Sequence, residues 1–434
     1  MSNTFHLEPG GAVQGDIRVP GDKSISHRSI MLGALAEGVT HVQGFLEGED
    51  SLATLEAFRA MGVEIERPAP GEVVIHGVGM RGLKKPASQL DVGNSGTSIR
   101  LLSGLLAGQD FEVTMVGDAS LTKRPMRRVT GPLAEMGAEI AASEAGTPPL
   151  VVKGGNKLQG ICYDMPVASA QVKSSILLAG LYAEGETCVI EPAPTRDHTE
   201  RMLKGFGYEV TREGSRICLQ GGGRLRATGV DVPADISSAA FFIVAAAITP
   251  GADLLLRHVG VNPTRVGVIN IMREMGADIE VLNEKVVGGE PVADLRVKYS
   301  ELKGIAIPED QVPLAIDEFP AIFIAAACAS GKTILTGAEE LRVKESDRIQ
   351  AMADGLAVLG VDAIAKPDGI VINGSDIGGG VVDSVGDHRI AMAFSIAALR
   401  ATAAIEVKNC ANVQTSFPTF VALSGQVGLN ISVY

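Results

Sequence analysis

An apolar, alanine-rich stretch closing on a small residue recurs six times along the chain: Ile30–Gly38, Ile99–Gly108, Ile176–Gly185, Ala240–Gly251, Ala321–Gly331 and Ile390–Ala401. The first five close on Gly, at intervals of 70, 77, 66 and 80 residues. Between 22 and 29 residues beyond each comes a second mark, a bulky residue and then Gly, followed by alternating apolar and polar positions. These marks are Met61-Gly62, Met136-Gly137, Phe206-Gly207, Met275-Gly276, Leu359-Gly360 and Val427-Gly428. A glycine there suits the left-handed residue that ends a helix, and the alternation after it suits a half-buried strand. Each repeat is therefore predicted to hold an apolar helix, a strand, an amphipathic helix and a strand or hairpin. The first helix is apolar nearly all round and must be buried on every side. The second carries charge, as in Asp50–Arg59, and is predicted to cover the outside.

Length and composition agree with a large globular protein. At 434 residues two domains are expected. Aromatic residues are only 4% and Trp is absent, so the core is expected to be built mainly from Ala, Leu, Ile and Val. A net charge of −13 argues against a general nucleic-acid binder and leaves room for a local basic cleft. The longest basic run, Lys123-Arg124 with Arg127-Arg128, is too short for a membrane or DNA tract. The apolar segments run to about ten residues, half of the ~20 needed to span a bilayer. No basic patch followed by an apolar stretch opens the chain, so a cytoplasmic location is expected. The five cysteines (Cys162, Cys188, Cys218, Cys328, Cys410) lack metal-ligand spacing and are read as reduced, mostly buried thiols.

A period of this kind would serve a solenoid with no chemistry equally well. The residues ahead of the apolar helices change that reading. They are Gly21–Arg28, Gly93–Arg100, Ser169–Ser174, Asp235–Ser238, Asp317–Pro320 and Gly386–Arg389. Ser, Asn and Asp there suit N-capping. Capping does not explain Lys23, Arg28 or Arg389, because a cation in the first turn opposes the positive end of the helix dipole. Free N–H groups together with cations make an anion site. Gly117–Met126 adds Lys123 and Arg124 on a loop entering a helix, and Arg196–Arg201 is dense in ionisable groups. In Arg342–Arg348, Lys344 and Arg348 are spaced to share one helical face. Gly93–Ser98 lacks the full Gly-x4-Gly-Lys-Ser/Thr pattern, which argues against a nucleotide triphosphatase.

Taken in order, the phrases DKSISHR (Asp22–Arg28), GNSGTSIR (Gly93–Arg100), GDASLTKRPM (Gly117–Met126), RDHTER (Arg196–Arg201), RVKESDR (Arg342–Arg348) and GDHRIAM (Gly386–Met392) resemble the 5-enolpyruvylshikimate-3-phosphate synthase family of enolpyruvyl transferases. The resemblance runs from Val19 to Pro418. It implies an α/β fold of two similar domains, each three copies of a βαβαββ unit with buried parallel helices, an inside-out α/β barrel. It further implies domains of 1–19 plus 238–434 and of 20–237, with the active site in the cleft between them.

The implied reaction passes the enolpyruvyl group of phosphoenolpyruvate to shikimate 3-phosphate. Carried over by position, Lys23, Ser24, Arg28, Ser169, Ala170, Gln171, Arg196, Asp317 and Lys344 would hold shikimate 3-phosphate. Lys23, Asn94, Gly96, Thr97, Arg124, Gln171, Arg348 and Arg389 would hold phosphoenolpyruvate. Asp317, Glu345 and Lys23 would be the catalytic groups. The resemblance implies no metal and no organic cofactor, and a monomer is expected.

Two positions depart from common family patterns. Gln414–Pro418 lacks the Lys that some members carry, and Ala170 stands where a second Ser is common. The sister transferase acting on UDP-N-acetylglucosamine uses a loop Cys, where this chain has Gly117-Asp118-Ala119-Ser120.

Overall fold

The computed structural model describes residues 3–434. Their strands form six separate sheets flanked by helices, a mixed α/β fold with no closed barrel among the described residues. One wiring recurs. Strand Val113–Val116 runs parallel to Leu90–Asp91 on one side and antiparallel to Leu150–Val152 on the other, and Ile140–Ala141 completes the sheet. Glu186–Ile190 is placed in the same way, parallel to Cys162–Asp164 and antiparallel to Arg216–Gln220, with Thr211–Glu213 at the edge. In the sheet of Lys332–Leu335 the parallel neighbour shrinks to the bridges Lys303–Ser330 and Ala306–Ile334.

The ends of the chain complete sheets begun elsewhere. Strand Phe5–Gly11 lies antiparallel between Ile405–Lys408 and Leu429–Val433, pairing Phe5 with both Val407 and Val433. Gln14–Ile17 joins Asp253–Gly260 in parallel. Leu225–Arg226 and Gly229–Asp231 return to pair in parallel with Ala36–Gln43. The chain accordingly divides into two compact units, 1–20 with 233–286 and 291–434, and 21–232 with 287–290. The sequence-based division put the crossings at 19/20 and 237/238 and did not separate 287–290.

The six apolar segments form the helices Lys23–Leu35, Gly96–Ala107, Ala170–Gly180, Ile236–Ile248, Phe319–Cys328 and His388–Ala397, each buried over most of its length. They stop one to five residues short of the small residues that close the apolar segments, and Gly38, Gly185, Gly251 and Gly331 make left-handed turns beyond. The second set behaves as predicted: Gly62, Gly137, Gly207, Gly276, Gly360 and Gly428 all have positive φ just after the outer helices. Small residues let the buried helices approach one another. A Cβ on Gly104 would lie 2.0 Å from the Ser175 carbonyl oxygen of the neighbouring helix. Phenylalanine contributes more to one core than composition suggested. In the unit holding both chain ends, Phe5, Phe241, Phe242, Phe417 and Phe420 cluster, with ring centroids 5.5–6.4 Å apart.

The cysteine reading is corrected at two positions. Cys188 and Cys218, directly opposite on adjacent antiparallel strands, form a disulfide. Their separation of 30 residues hid a pairing that only strand adjacency creates. Cys162, Cys328 and Cys410 are free, and Cys162 is exposed.

Candidate active site

Five of the six buried helices start with a side-chain cap. Asp22 accepts from the Ile25 amide (2.8 Å), Ser95 from Ser98 (3.0 Å), Ser169 from Val172 (3.4 Å), Asp235 from Ser237 (2.8 Å) and Asp387 from Arg389 (2.9 Å). The sixth, at Glu318, has none. Glu318 is instead buried against Arg265, 3.6 Å away, and accepts a hydrogen bond from Ser237.

In the unit containing residues 21–232, the Lys23 ammonium pairs with the buried carboxylate of Asp50, in the first turn of helix Glu49–Ala60. Arg28 is almost wholly buried, and its guanidinium donates to Thr199 Oγ1 (2.7 Å), Ser174 Oγ (2.8 Å) and the Ser24 carbonyl (2.9 Å). Burial is the main cause that lowers its pKa to about 10, opposed by Glu200 and Asp22. Arg124 donates to Asn94 Oδ1 (2.7 Å) and Ser120 Oγ (3.3 Å), and Asn94 donates in turn to Asp118 (2.7 Å). Gly96 lies beneath the same guanidinium, since a Cβ there would come within 3.1 Å of Arg124 Nη1. Gln171 joins two helix starts, donating to Thr97 Oγ1 (3.1 Å) and accepting from Arg100 (2.6 Å). Arg196 and Asp197 precede helix His198–Gly205. Asp197 makes no side-chain cap to that helix and instead accepts from Arg201 Nε at 2.8 Å.

In the other unit, the fully buried Arg348 guanidinium gathers three carboxylates. Its Nε lies 2.9 Å from Asp387 Oδ2, Nη2 lies 2.6 Å from Glu345 Oε2, and Nη1 lies 3.2 Å from Asp317 Oδ1. Lys344 Nζ lies 3.5 Å from that same Asp317 oxygen. Lys344 and Arg348 do not share a helical face, however. Lys344 sits in extended backbone after the short turn Glu339–Val343, and the helix begins only at Arg348. Both cations still reach Asp317, because the loop folds them onto the start of the neighbouring buried helix. Burial opposes the charge on Arg348, but Asp387, Glu345 and Asp317 together raise its pKa above the ordinary guanidinium value. Burial likewise pushes the Asp387 carboxyl up, and Arg348 outweighs it, so the net displacement is below 3.8. The half-buried Arg389 side chain makes no ion pair among the described residues, a cation at a helix start with room for an anion.

Sequence reasoning passed over Asp50, Arg100, Asp118 and Asp387, which orient the residues it did select. Asp50 and Asp387 looked like ordinary acidic residues at helix starts, and Arg100 stood inside a quoted phrase without a role. The two trios with ligand-type geometry, Glu64-Glu66-His76 and Glu186-Cys188-Cys218, include no candidate site residue.

Helix starts in both units of this α/β protein combine caps, cations and carboxylates, an arrangement of the class that can bind small anions. Comparison with known proteins sharpens that class. The family model for EPSP synthase (3-phosphoshikimate 1-carboxyvinyltransferase) matches residues 7–423. The chain is 71% identical over 429 residues to the 3-phosphoshikimate 1-carboxyvinyltransferase of Methylococcus capsulatus, covering 99% of this chain and 98% of that one. It is 66% identical to the enzyme of the same name from Alkalilimnicola ehrlichii, covering 99% and 96%. An EPSP synthase structure from Acinetobacter baumannii superposes with a TM-score of 0.91 at 62% identity over the full length of both chains. The chain belongs to the EPSP synthase family, and it is a transferase of aromatic amino acid biosynthesis.

Proposed function

We propose that this chain transfers the enolpyruvyl group of phosphoenolpyruvate to the 5-hydroxyl of shikimate 3-phosphate and releases phosphate. The observation that carries the reading is the cluster in which Asp317 and Glu345 share the Arg348 guanidinium beside Lys344. Structural ion pairing alone would be served by one carboxylate per cation. Asp317 also faces Lys344 at 3.5 Å, so the two carboxylates have different surroundings, suited to separate proton-transfer roles.

Shikimate 3-phosphate is assigned to Lys23, Ser24, Arg28, Ser169, Ala170, Gln171, Arg196, Asp317 and Lys344. Phosphoenolpyruvate is assigned to Lys23, Asn94, Gly96, Thr97, Arg124, Gln171, Arg348 and Arg389, whose guanidinium groups match paired oxyanions. Asp317 takes the proton of the 5-hydroxyl as its oxygen attacks C2 of phosphoenolpyruvate. C3 gains a proton from Glu345 or Lys23, giving a tetrahedral intermediate. Return of a C3 proton to the protein then expels phosphate and restores the double bond. These steps use acid–base and electrostatic groups of the chain itself.

The family's inside-out barrel, three repeats around buried helices in each domain, is the arrangement proposed here, with residues of both domains serving one reaction. A cytoplasmic monomer is part of the proposal; no described helix is long and apolar enough to cross a membrane.

The test is release of inorganic phosphate from phosphoenolpyruvate, with shikimate 3-phosphate and UDP-N-acetylglucosamine offered separately. Release with shikimate 3-phosphate alone is expected. Release with the nucleotide sugar, or with neither acceptor, would overturn the assignment.

A further inference from the structure

Three cysteines stand in one row across three neighbouring strands. Cys162 on Cys162–Asp164 is in register with Cys188 on Glu186–Ile190, and Cys188 with Cys218 on Arg216–Gln220. Residues in register share a face of the sheet and lie about 5 Å apart from strand to strand. The alternate residues Val189, Ile217 and Leu219 enter the hydrophobic core, whereas neither bonded cysteine does, so the row lies on the outer face. The two bonded cysteines are covered there by the half-exposed side chains of Arg216 and Glu186. Arg216 Nε is 3.2 Å from Cys218 Sγ, and its Nη2 is 3.2 Å from Cys188 Sγ. Glu186 Oε2 is 3.3 Å from Cys188 Sγ and 3.6 Å from Arg216 Nη2. The third thiol, Cys162, is exposed and free.

We propose that this row is a thiol–disulfide exchange site, a modification site for a dithiol reductant with Cys162 as the internal attacking thiol. The Cys162 thiolate attacks Cys188 Sγ, the Cys162–Cys188 bond forms, the Cys188–Cys218 bond breaks, and the electron pair leaves on Cys218 as thiolate. The number of disulfides is unchanged, so this step needs no oxidant. Arg216 donates to both sulfurs of the existing bond, and its charge stabilises the thiolate that departs. An external dithiol then reduces the relocated bond at its exposed Cys162 end, giving three thiols and the oxidised reductant. A free cysteine alone would not support this reading; an in-register bonded neighbour with a guanidinium on both its sulfurs does.

The location gives the exchange a consequence. The strand of Cys162 leads directly to the helix start at Ser169, and the strand of Cys188 leads to Arg196. The resting disulfide joins the second strand to its antiparallel neighbour. The exchanged one ties together the two parallel strands that feed those loops.

The test maps disulfide-linked peptides in the intact, undenatured protein, acid-quenched before digestion. Untreated protein is expected to give the Cys188–Cys218 pair. Incubation at mildly alkaline pH without reductant is expected to bring up a Cys162–Cys188 pair, absent from Cys162→Ser and slower to appear in Arg216→Gln. Under limiting dithiothreitol, Cys162→Ser is expected to lose its disulfide several-fold more slowly than the unmodified chain. Full alkylation of all five cysteines without reductant would overturn the proposal. So would a Cys188–Cys218 pair that Cys162 never joins, or three thiols protected by a co-purifying metal ion.

Discussion

Arg348 and Asp387 form a wholly buried pair, with Nε 2.9 Å from Oδ2. The same carboxylate caps helix His388–Ala397 through the Arg389 amide and accepts from Ser346 Oγ at 2.9 Å. Asp387 thus aims one proposed phosphoenolpyruvate ligand and anchors the backbone of another. Asp387→Asn should keep the cap and lose the charge. Removing one partner of a buried pair costs about 3–5 kcal/mol, with the lower end expected here because Glu345 and Asp317 still face Arg348.

The pH dependence of that loss has a definite sign. The folded Asp387 pKa is depressed below 3.8, so its contribution is fully present above that value. It is lost as pH falls through the lower folded value. Urea unfolding of the native chain and of Asp387→Asn should therefore differ by a constant amount from neutrality down to mild acid, and converge in stronger acid. A difference that vanished already near neutrality would remove Asp387 as the group responsible.

Asp317→Asn and Glu345→Gln should each reduce kcat by roughly 10²–10⁴-fold, the usual worth of general acid–base help. KM for either substrate should move much less. Both residues also touch Arg348, so a purely electrostatic role would appear as a rise in KM for phosphoenolpyruvate with kcat retained. Steady-state kinetics with each substrate varied separates the two.

Gly96→Ala tests the floor beneath Arg124. The new methyl would come within 2.9 Å of Arg100 Nη1 and 3.1 Å of Arg124 Nη1, both tips of flexible side chains. Alanine is at least as good a helix former as glycine, so thermal stability should hold. The displaced Arg124 should raise KM for phosphoenolpyruvate while that for shikimate 3-phosphate stays close to normal. Equal effects on both would place Gly96 elsewhere.

Lys173 is fully buried, with Nζ 2.6 Å from Glu191 Oε1 and 2.7 Å from Glu200 Oε1. Arg212 Nη2 is a further 2.9 Å from Glu191 Oε2, so two cations balance two carboxylates. Lys173→Met would leave the carboxylates in excess and should cost about 3–5 kcal/mol in denaturant unfolding. Replacing Lys173, Glu191 and Glu200 together by apolar residues should cost less than the single change, because the cation then left behind, Arg212, has a side chain 34% exposed to water.

The sequence by itself determined the six apolar helices, the left-handed glycines after the outer helices, and most of the caps. These depend on residues within a few positions of one another, where periodicity and local hydrogen bonding decide the outcome. It also marked Lys23, Arg28 and Arg389 as cations that capping does not explain.

Only the tertiary structure decided which of these groups meet. Lys344 and Arg348 converge on Asp317 through a loop rather than along a helix. Asp50 holds Lys23, Asp387 holds Arg348, and Cys188 finds Cys218 across a strand pair. The division of the chain between its two units, including residues 287–290, is of the same kind. Such partners lie 27 to 39 residues apart for these pairs. Local propensity carries no signal over that range, and pairing follows from which strands and helix starts the packed core sets side by side.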